Sequence, residues 1–407
     1  MKSLILLRGL DKNQKKNWVI SENLQNFFID YDTFNILYSI PEGNSKDECI
    51  LGRSDTSKVF KEFLRAVINR LESGCLIVID LNLIGTSTIE TLSTVYGYTV
   101  FNKVFPIPQD YIGNPGKYSI NGFKKKKRED LQKDVESFLN LQLSQTNIID
   151  SYEDIVKFWD NKYVLNLIDC SNSNIHFFSD IHSNYDLFCQ LNSKIPVQEY
   201  KVFLGDYIDG PKVGGSKSMI DHVLYKAGGY NICLEGNHER RLRKYLYCRW
   251  ISQSSSKQRQ EAAKIIWETL PDEFLCTTAK EFEALEPNTC WSYIKTMNEK
   301  LVPYYIIKTN NLTYICTHGG IKGLEQLSPK FIGNAIYGNR DMDEYDKTFS
   351  RRYSWKSEYC SIHAHCKYPS KVEFLKYDSV INLDPEDETQ IVYLNTNIKP
   401  FNPCIVK

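Results

Sequence analysis

Lys201-Val202-Phe203-Leu204-Gly205-Asp206-Tyr207-Ile208-Asp209 is a short apolar run that stops at a glycine and then presents two carboxylates three residues apart. An apolar run of this length bounded by glycine reads as a buried strand. Gly205 allows close backbone approach at its end. A carboxylate standing there has two oxygens and can bridge two cations, so Asp206 is the candidate bridge.

The same pattern repeats on either side. The strand candidate Ile175 to Phe178 leads into Ser179-Asp180-Ile181-His182. Alternate residues of an extended chain share a side, which makes Asp180 and His182 a pair fit for one divalent ion. Asn231 to Leu234 leads into Gly236-Asn237-His238-Glu239, an amide oxygen beside an imidazole able to protonate a leaving oxygen. Thr313 to Cys316 leads into Thr317-His318-Gly319-Gly320, and Cys360 to Ile362 into His363-Ala364-His365. Of the seven histidines in the chain, five fall in these clusters, a concentration that isolated structural histidines do not explain. A binuclear metal site at the carboxyl ends of the strands of an α/β fold is expected.

The 407 residues exceed what one hydrophobic core usually organises. Leu4 to Leu7, Leu76 to Asp80, Thr99 to Phe105 and Tyr163 to Ile168 read as strands, with helical periodicity over Val59 to Leu71, so a parallel sheet with crossover helices is expected first. The polar stretch Cys170 to Asn174 places a boundary there, giving domains 1–170 and 171–407. A polar, helix-patterned stretch from Ser252 to about Asn298 reads as a helical cap. Its Trp267, Phe274, Trp291 and Tyr293 are either that cap's own core or a platform for a base.

Fifty basic and fifty acidic side chains cancel, which excludes a uniformly basic nucleic-acid or membrane protein and confines such a surface to a patch, the run Lys124 to Arg128 being one candidate. Twelve cysteines without a C-x-x-C pair, and no apolar stretch long enough for a signal peptide or span, lead us to expect a reduced, cytoplasmic protein with no membrane partner.

Taken in order, D-x-H, G-D-x-x-D, G-N-H-E, H-G-G and A-H resemble the calcineurin-like metallophosphoesterase superfamily over residues 171–407. The resemblance implies an αββα two-sheet sandwich with Asp180, His182 and Asp206 on one metal, and Asp206, Asn237, His318 and His365 on the other. It implies His238 as general acid with Asp209 and Arg240 in the catalytic group, and His363 or Asp384 as further ligand or support. Two divalent ions follow as cofactors. The mixed nitrogen and oxygen set suits Mn²⁺, with Fe, Ni, Zn or Co compatible.

Arg240 to Leu246, Tyr337-Gly338, Asp343-Glu344-Tyr345, Arg352 to Trp355 and Ile381 to Asp384 resemble the phosphatase module of the bacterial polynucleotide kinase-phosphatase, an RNA end-healing enzyme. That resemblance implies terminal 2′, 3′ or 2′,3′-cyclic phosphates on RNA or polynucleotide ends as substrate, Arg243 and Arg352 as phosphate contacts, and a separate RNA ligase as partner. One departure stands out. The family has Arg-Gly after its second aspartate, whereas this chain has Gly210-Pro211, so Arg240, Arg241, Arg243 or Lys212 must substitute if a phosphate is clamped bidentately.

The same family carries a P-loop kinase in front. Gly9 to Lys15 keeps the spacing of that loop, but Gln14 stands for its second glycine and Lys16 for the Ser or Thr that holds magnesium. Asp32 aligns with the kinase general base. The expectation is a degenerate kinase-like domain, with Gly9, Lys15 and Asp32 as its residual site, kept to bind nucleic-acid ends or as scaffold. A Ser/Thr protein phosphatase, a hydrolase of dinucleoside polyphosphates or cyclic nucleotides, and a pure binding module are the competing readings.

Overall fold

The computed structural model describes residues 2–9, 11–37, 41–42, 50–51, 56–81, 86–106, 147–163, 167–170, 173–210, 214–310, 312–321, 323–338, 359–365, 380–384, 391–396 and 404–406. Lys212, Arg352, the run Lys124 to Arg128 and the stretches around Asp343 and Trp355 lie outside the described residues. The chain divides into two compact units. One comprises Lys2–Ser93 and Gly97–Trp159, the other Met1, Thr94–Tyr96 and Asp160–Lys407.

The first unit holds β1 (Ser3–Arg8), β2 (Phe28–Asp30), the short antiparallel pair β3 (Pro41–Glu42) and β4 (Ile50–Leu51), then β5 (Ile77–Asp80), β6 (Thr99–Val104) and β7 (Asn147–Ile149). Its main sheet runs β2-β5-β1-β6-β7, with every neighbouring pair parallel. All six residues of β1 are buried, as a central strand covered on both faces requires. The helix Thr56–Glu72 follows from its stripe of Val59, Phe63, Val67 and Leu71, each fully buried, at four-residue spacing. The expected parallel sheet with crossover helices is what forms.

Tyr163 to Ile168 corrects the sequence reading. Tyr163 ends the helix Tyr152–Tyr163, and the strand is β8 (Leu167–Asp169). It pairs in parallel with β12 (Tyr304–Lys308), so the second unit is already under way before the polar stretch after Cys170. A short apolar run carries no period that separates strand from helix end, and tertiary pairing decides.

The second unit adds β9 (Ile175–Phe178), β10 (Tyr200–Phe203), β11 (Asn231–Cys233), β13 (Thr313–Thr317), β14 (Tyr359–His363), β15 (Val380–Asn382), β16 (Ile391–Asn395) and β17 (Cys404–Val406). Two five-stranded sheets result, β11-β10-β9-β16-β17 and β15-β14-β13-β12-β8. One core joins them: Ile175, Phe177, Val202 and Val392 from the first sheet pack with Ile307, Cys316 and Ile362 from the second. β9, β10 and β11 run parallel, so their carboxyl ends emerge at one edge, and β13 and β14 likewise share a direction. Phe178 turns the other way and meets Phe188 on the helix Tyr185–Asn192, which is why β9 is buried on both faces.

The stretch expected to form a cap is helical, with Lys257–Trp267, Asp272–Cys276, Thr278–Glu281 and Pro287–Lys300. Its aromatic residues are mostly spent on packing: Phe274 is 1% exposed against Tyr245, and Trp291 stacks on Trp250 at 4.2 Å. Among the described residues no helix is long and apolar enough to cross a membrane.

Candidate metal centre

The loops that leave β9, β10, β11, β13 and β14 converge. Asp180, His182 and Asp206 bring one ligand atom each to within 4.8 Å of one another, and so do Asp206, His318 and His365. Asp206 belongs to both groups, the bridging position expected of it. Asn237 Oδ1 lies 2.9 Å from His318 Nε2, which puts its amide on the second group.

Reaching this arrangement strains the backbone. Among the described residues six non-glycines have positive φ, and His182, Ser183, Asp206, Asp209 and His365 are five of them. Left-handed backbone is costly for residues with a side chain, and such strain gathers where function needs a particular side-chain direction. It is sustained here by hydrogen bonds: the Ile181 and His182 N–H groups both donate to the Asp206 carbonyl at 3.0 Å. Gly236 has no alternative, since a Cβ there would stand 2.2 Å from the Asp206 nitrogen.

Each ligand is also held from behind. His318 Nδ1 is 2.9 Å from the Leu204 carbonyl, leaving Nε2 to face Asp206 Oδ2 at 3.3 Å, and His182 Nδ1 rests 3.3 Å from the Ile208 carbonyl. Glu239 is the residue whose role the motif reading missed. Its carboxylate accepts from the N–H groups of Asp206, Tyr207 and Gly236 at 3.2, 2.8 and 2.9 Å, tying two strand ends together. The signal available in the sequence was an acid one residue past the imidazole, at the start of a helix.

The charges are arranged for cations. Burial pushes the Asp180 carboxyl well above its usual range, the positive His318 opposing and Asp384 and Asp206 reinforcing the shift. Burial works against Asp206 too, but His238, His318 and His182 outweigh it and hold Asp206 well below the carboxylate range. Burial lowers His318, yet Asp206 and Asp180 raise it to about 10. His365 is pushed down to about 4 by burial and by the charge of His318, so its lone pair is free to ligate. Asp180 Oδ1 is buried with no hydrogen-bond donor, an orphan that a cation would satisfy. The residues therefore fit divalent metal.

Beside these groups His238 Nδ1 lies 2.8 Å from Asp209 Oδ2 and its Nε2 lies 3.5 Å from Asp206 Oδ2. Burial disfavours its imidazolium, but Asp206 and the hydrogen bond to Asp209 raise its pKa above the ordinary histidine value. Residues 173–392 match the family described as calcineurin-like phosphoesterase. The chain belongs to that family. It is a hydrolase of phosphoester bonds, and solved structures similar to it are of low identity. A protein serine/threonine phosphatase from Saccharomyces cerevisiae is 10% identical with a TM-score of 0.36, over 68% of this chain and 96% of that one. A metallophosphoesterase from Sphaerobacter thermophilus is 15% identical with a TM-score of 0.28, over 57% and 88%. A phosphoesterase from E. coli is 12% identical with a TM-score of 0.25, over 57% and 98%. No curated protein sequence matches the chain.

The remaining candidates of this calcineurin-like phosphoesterase are dispersed. Arg240 lies over the Tyr337 ring at 4.3 Å, beside Gly338, whose Cβ position is 3.5 Å from His365. Arg243 corrects the expectation of a phosphate contact: it is 1% exposed and paired with Glu235 at 2.5 Å, because the apolar side of its helix carries it into the interior. His363 is buried with Nδ1 3.0 Å from the Ala364 carbonyl and belongs to neither ligand group. Asp384 follows β15 and acts on Asp180 through its charge.

In the first unit Gly9 ends β1 with φ +153, and a Cβ there would stand 2.8 Å from that of Phe105. Lys15, expected in the residual site that binds phosphate or serves as scaffold, is fully buried with Nζ 2.7 Å from Asp80 Oδ1 and so faces a carboxylate. Asp32 pairs with Lys12.

Proposed function

We propose that this phosphoesterase hydrolyses terminal phosphates, 2′ or 3′ monoesters or 2′,3′-cyclic esters, on RNA or other polynucleotide ends in the cytoplasm, using two divalent ions, Mn²⁺ first among them. The observation that carries the reading is the company the metal centre keeps. The same chain holds a parallel sheet with its first strand in the middle, running through Gly9 into a helix that starts at Lys12. That is the place where open α/β sheets accept phosphate. We read this unit as a degenerate P-loop kinase-like domain. The Lys15–Asp80 pair and Gln14 at the second glycine position support a binding or scaffolding role in place of phosphate transfer. Sealing of a healed end would fall to a separate RNA ligase.

Asp180, His182 and Asp206 would hold one ion and Asp206, Asn237, His318 and His365 the other. Bound there, the ions supply Lewis acidity toward the phosphoryl oxygens and activate the attacking water. The chain's own residues do the rest. Asp209 accepts the Nδ1 proton of His238 and so stabilises the imidazolium, whose Nε2 proton is the one delivered to the leaving oxygen. Glu239 keeps Asp206 and Gly236 in register while this happens.

The reading is tested with four substrates assayed side by side on the Mn²⁺-loaded chain: an RNA ending in 3′-phosphate, a phosphoserine peptide, a dinucleoside polyphosphate and a cyclic nucleotide. The RNA should have the highest kcat/KM. A peptide or small nucleotide turned over faster would replace the polynucleotide reading with the corresponding alternative.

A further inference from the structure

The helix His238–Ile251 starts at the metal centre and carries Arg240, Arg241, Arg243 and Lys244 in its first two turns. Three of these are committed elsewhere. Arg243 is buried on Glu235, Lys244 is 3% exposed, and Arg240 lies over Tyr337. Arg241 is different. Its Nη1 lies 2.8 Å from Asp209 Oδ2 and 3.0 Å from His238 Nδ1, and its side chain keeps 31% exposure. One carboxylate oxygen thus receives both the imidazole and the guanidinium.

A guanidinium has five N–H donors in a rigid fork, and these contacts occupy Nη1 alone. The Asp209 anchor fixes one corner of the fork next to the residue that protonates the leaving oxygen. Nε and Nη2 take no part in the contacts with Asp209 and His238, and two parallel guanidinium N–H donors match two phosphate oxygens. The chain has no arginine immediately after Asp209, only Gly210 and Pro211.

We propose that Arg241 binds the non-bridging oxygens of the scissile phosphate and sets a preference for terminal monoesters over diesters. A phosphomonoester carries about −1.5 to −2 charges at neutral pH and a diester about −1, so a fixed cation favours the monoester. This narrows the terminal-phosphate reading toward its 2′ and 3′ monoesters and rests on it for the natural substrate only. The chemistry of Arg241 is read on simple esters whatever the natural substrate is.

The test uses the full chain loaded with Mn²⁺, assayed on para-nitrophenyl phosphate and bis-para-nitrophenyl phosphate, with inorganic phosphate as competitor. Arg241→Ala should lower kcat/KM on the monoester by about 10- to 100-fold, mainly through KM, and weaken phosphate inhibition by a similar factor. The diester should lose several-fold less, so the monoester-to-diester ratio falls. Arg241→Lys should recover part of the ratio. Arg241→Gln, which keeps volume without charge, gives a second reading if the alanine variant folds poorly. Equal losses on both esters with unchanged phosphate inhibition would overturn the assignment, because Arg241 would then act only through Asp209 and His238. A normal Arg241 result with RNA ends left untouched would retain this inference and remove the polynucleotide substrate.

Discussion

His238 Nδ1 stands 2.8 Å from Asp209 Oδ2, with its Nε2 turned toward Asp206, the residue common to both candidate ligand groups, at 3.5 Å. An imidazole oriented by a carboxylate on one nitrogen and facing the reaction centre with the other is built to deliver a proton. Asp209→Asn presents a group that can flip and support the wrong tautomer. We expect kcat on a ribose phosphate, a poor leaving group, to fall by about 10²–10⁴-fold. On para-nitrophenyl phosphate, whose leaving group needs little protonation, the fall should be much smaller. Equal losses on both esters would mean that the pair does not serve proton transfer.

Metal uptake should release protons. Without ions the carboxylates around His318 raise its pKa to about 10, and burial raises that of Asp180. Ligation needs both deprotonated, so cation and proton compete and apparent affinity rises with pH. Calorimetric titration of the chelator-stripped chain with Mn²⁺, in two buffers of different ionisation enthalpy, should show about one or more protons released per chain at pH 7. Heats independent of the buffer would contradict this.

Glu239 gathers three backbone N–H groups from two strand ends, that of Asp206 among them, while its own carboxylate belongs to neither candidate ligand group. Glu239→Ala leaves those donors buried and unsatisfied, at about 1–3 kcal/mol apiece before relaxation. The expected outcome is a lower Tm together with weakened metal binding. Glu239→Gln, which keeps one acceptor oxygen, should fall between. An alanine variant with wild-type metal affinity would show that the strand ends hold themselves.

The strands and five ligand-bearing loops were legible because each element is a short apolar run closed by a residue with little structural reason to be there, such as Asp180 or His318. Alternation and glycine positions are local signals. What escaped were relations that depend on helix rotation. Arg240, Arg241 and Arg243 are equivalent in sequence, yet one stacks on Tyr337, one reaches Asp209 and one is buried on Glu235. Lys15 belongs to the expected residual kinase-like site, and the partner that buries it, Asp80, lies 65 residues on. The end of the helix at Tyr163 was lost for the same reason, as the pairing of β8 with β12 spans more than a hundred residues.

His363 makes acid a liability. Burial pushes its pKa down to about 4, below the ordinary value of 6.5. Its contribution to stability is complete above the unfolded value and is lost as pH falls through the window from 6.5 toward 4, because the unfolded chain takes the proton first. The loss is on the order of 3 kcal/mol at the acid end. Urea unfolding at pH 7.5 and 5.0 should show a smaller pH difference for His363→Gln than for wild type. An unchanged difference would place the acid sensitivity elsewhere.

The central claim is metal-dependent hydrolysis at an RNA end, and the direct measurement is turnover of oligonucleotides ending in a 3′-phosphate or a 2′,3′-cyclic phosphate, with and without Mn²⁺. Wild type should be compared with Asp206→Ala, which removes the carboxylate common to both candidate ligand groups, and His238→Ala, which removes the proposed proton donor. The account predicts turnover that needs the ion and is lost in both variants. Absence of turnover on either RNA end, beside clear Mn²⁺-dependent activity on an aryl phosphate, would contradict it and leave a phosphoesterase with a different substrate.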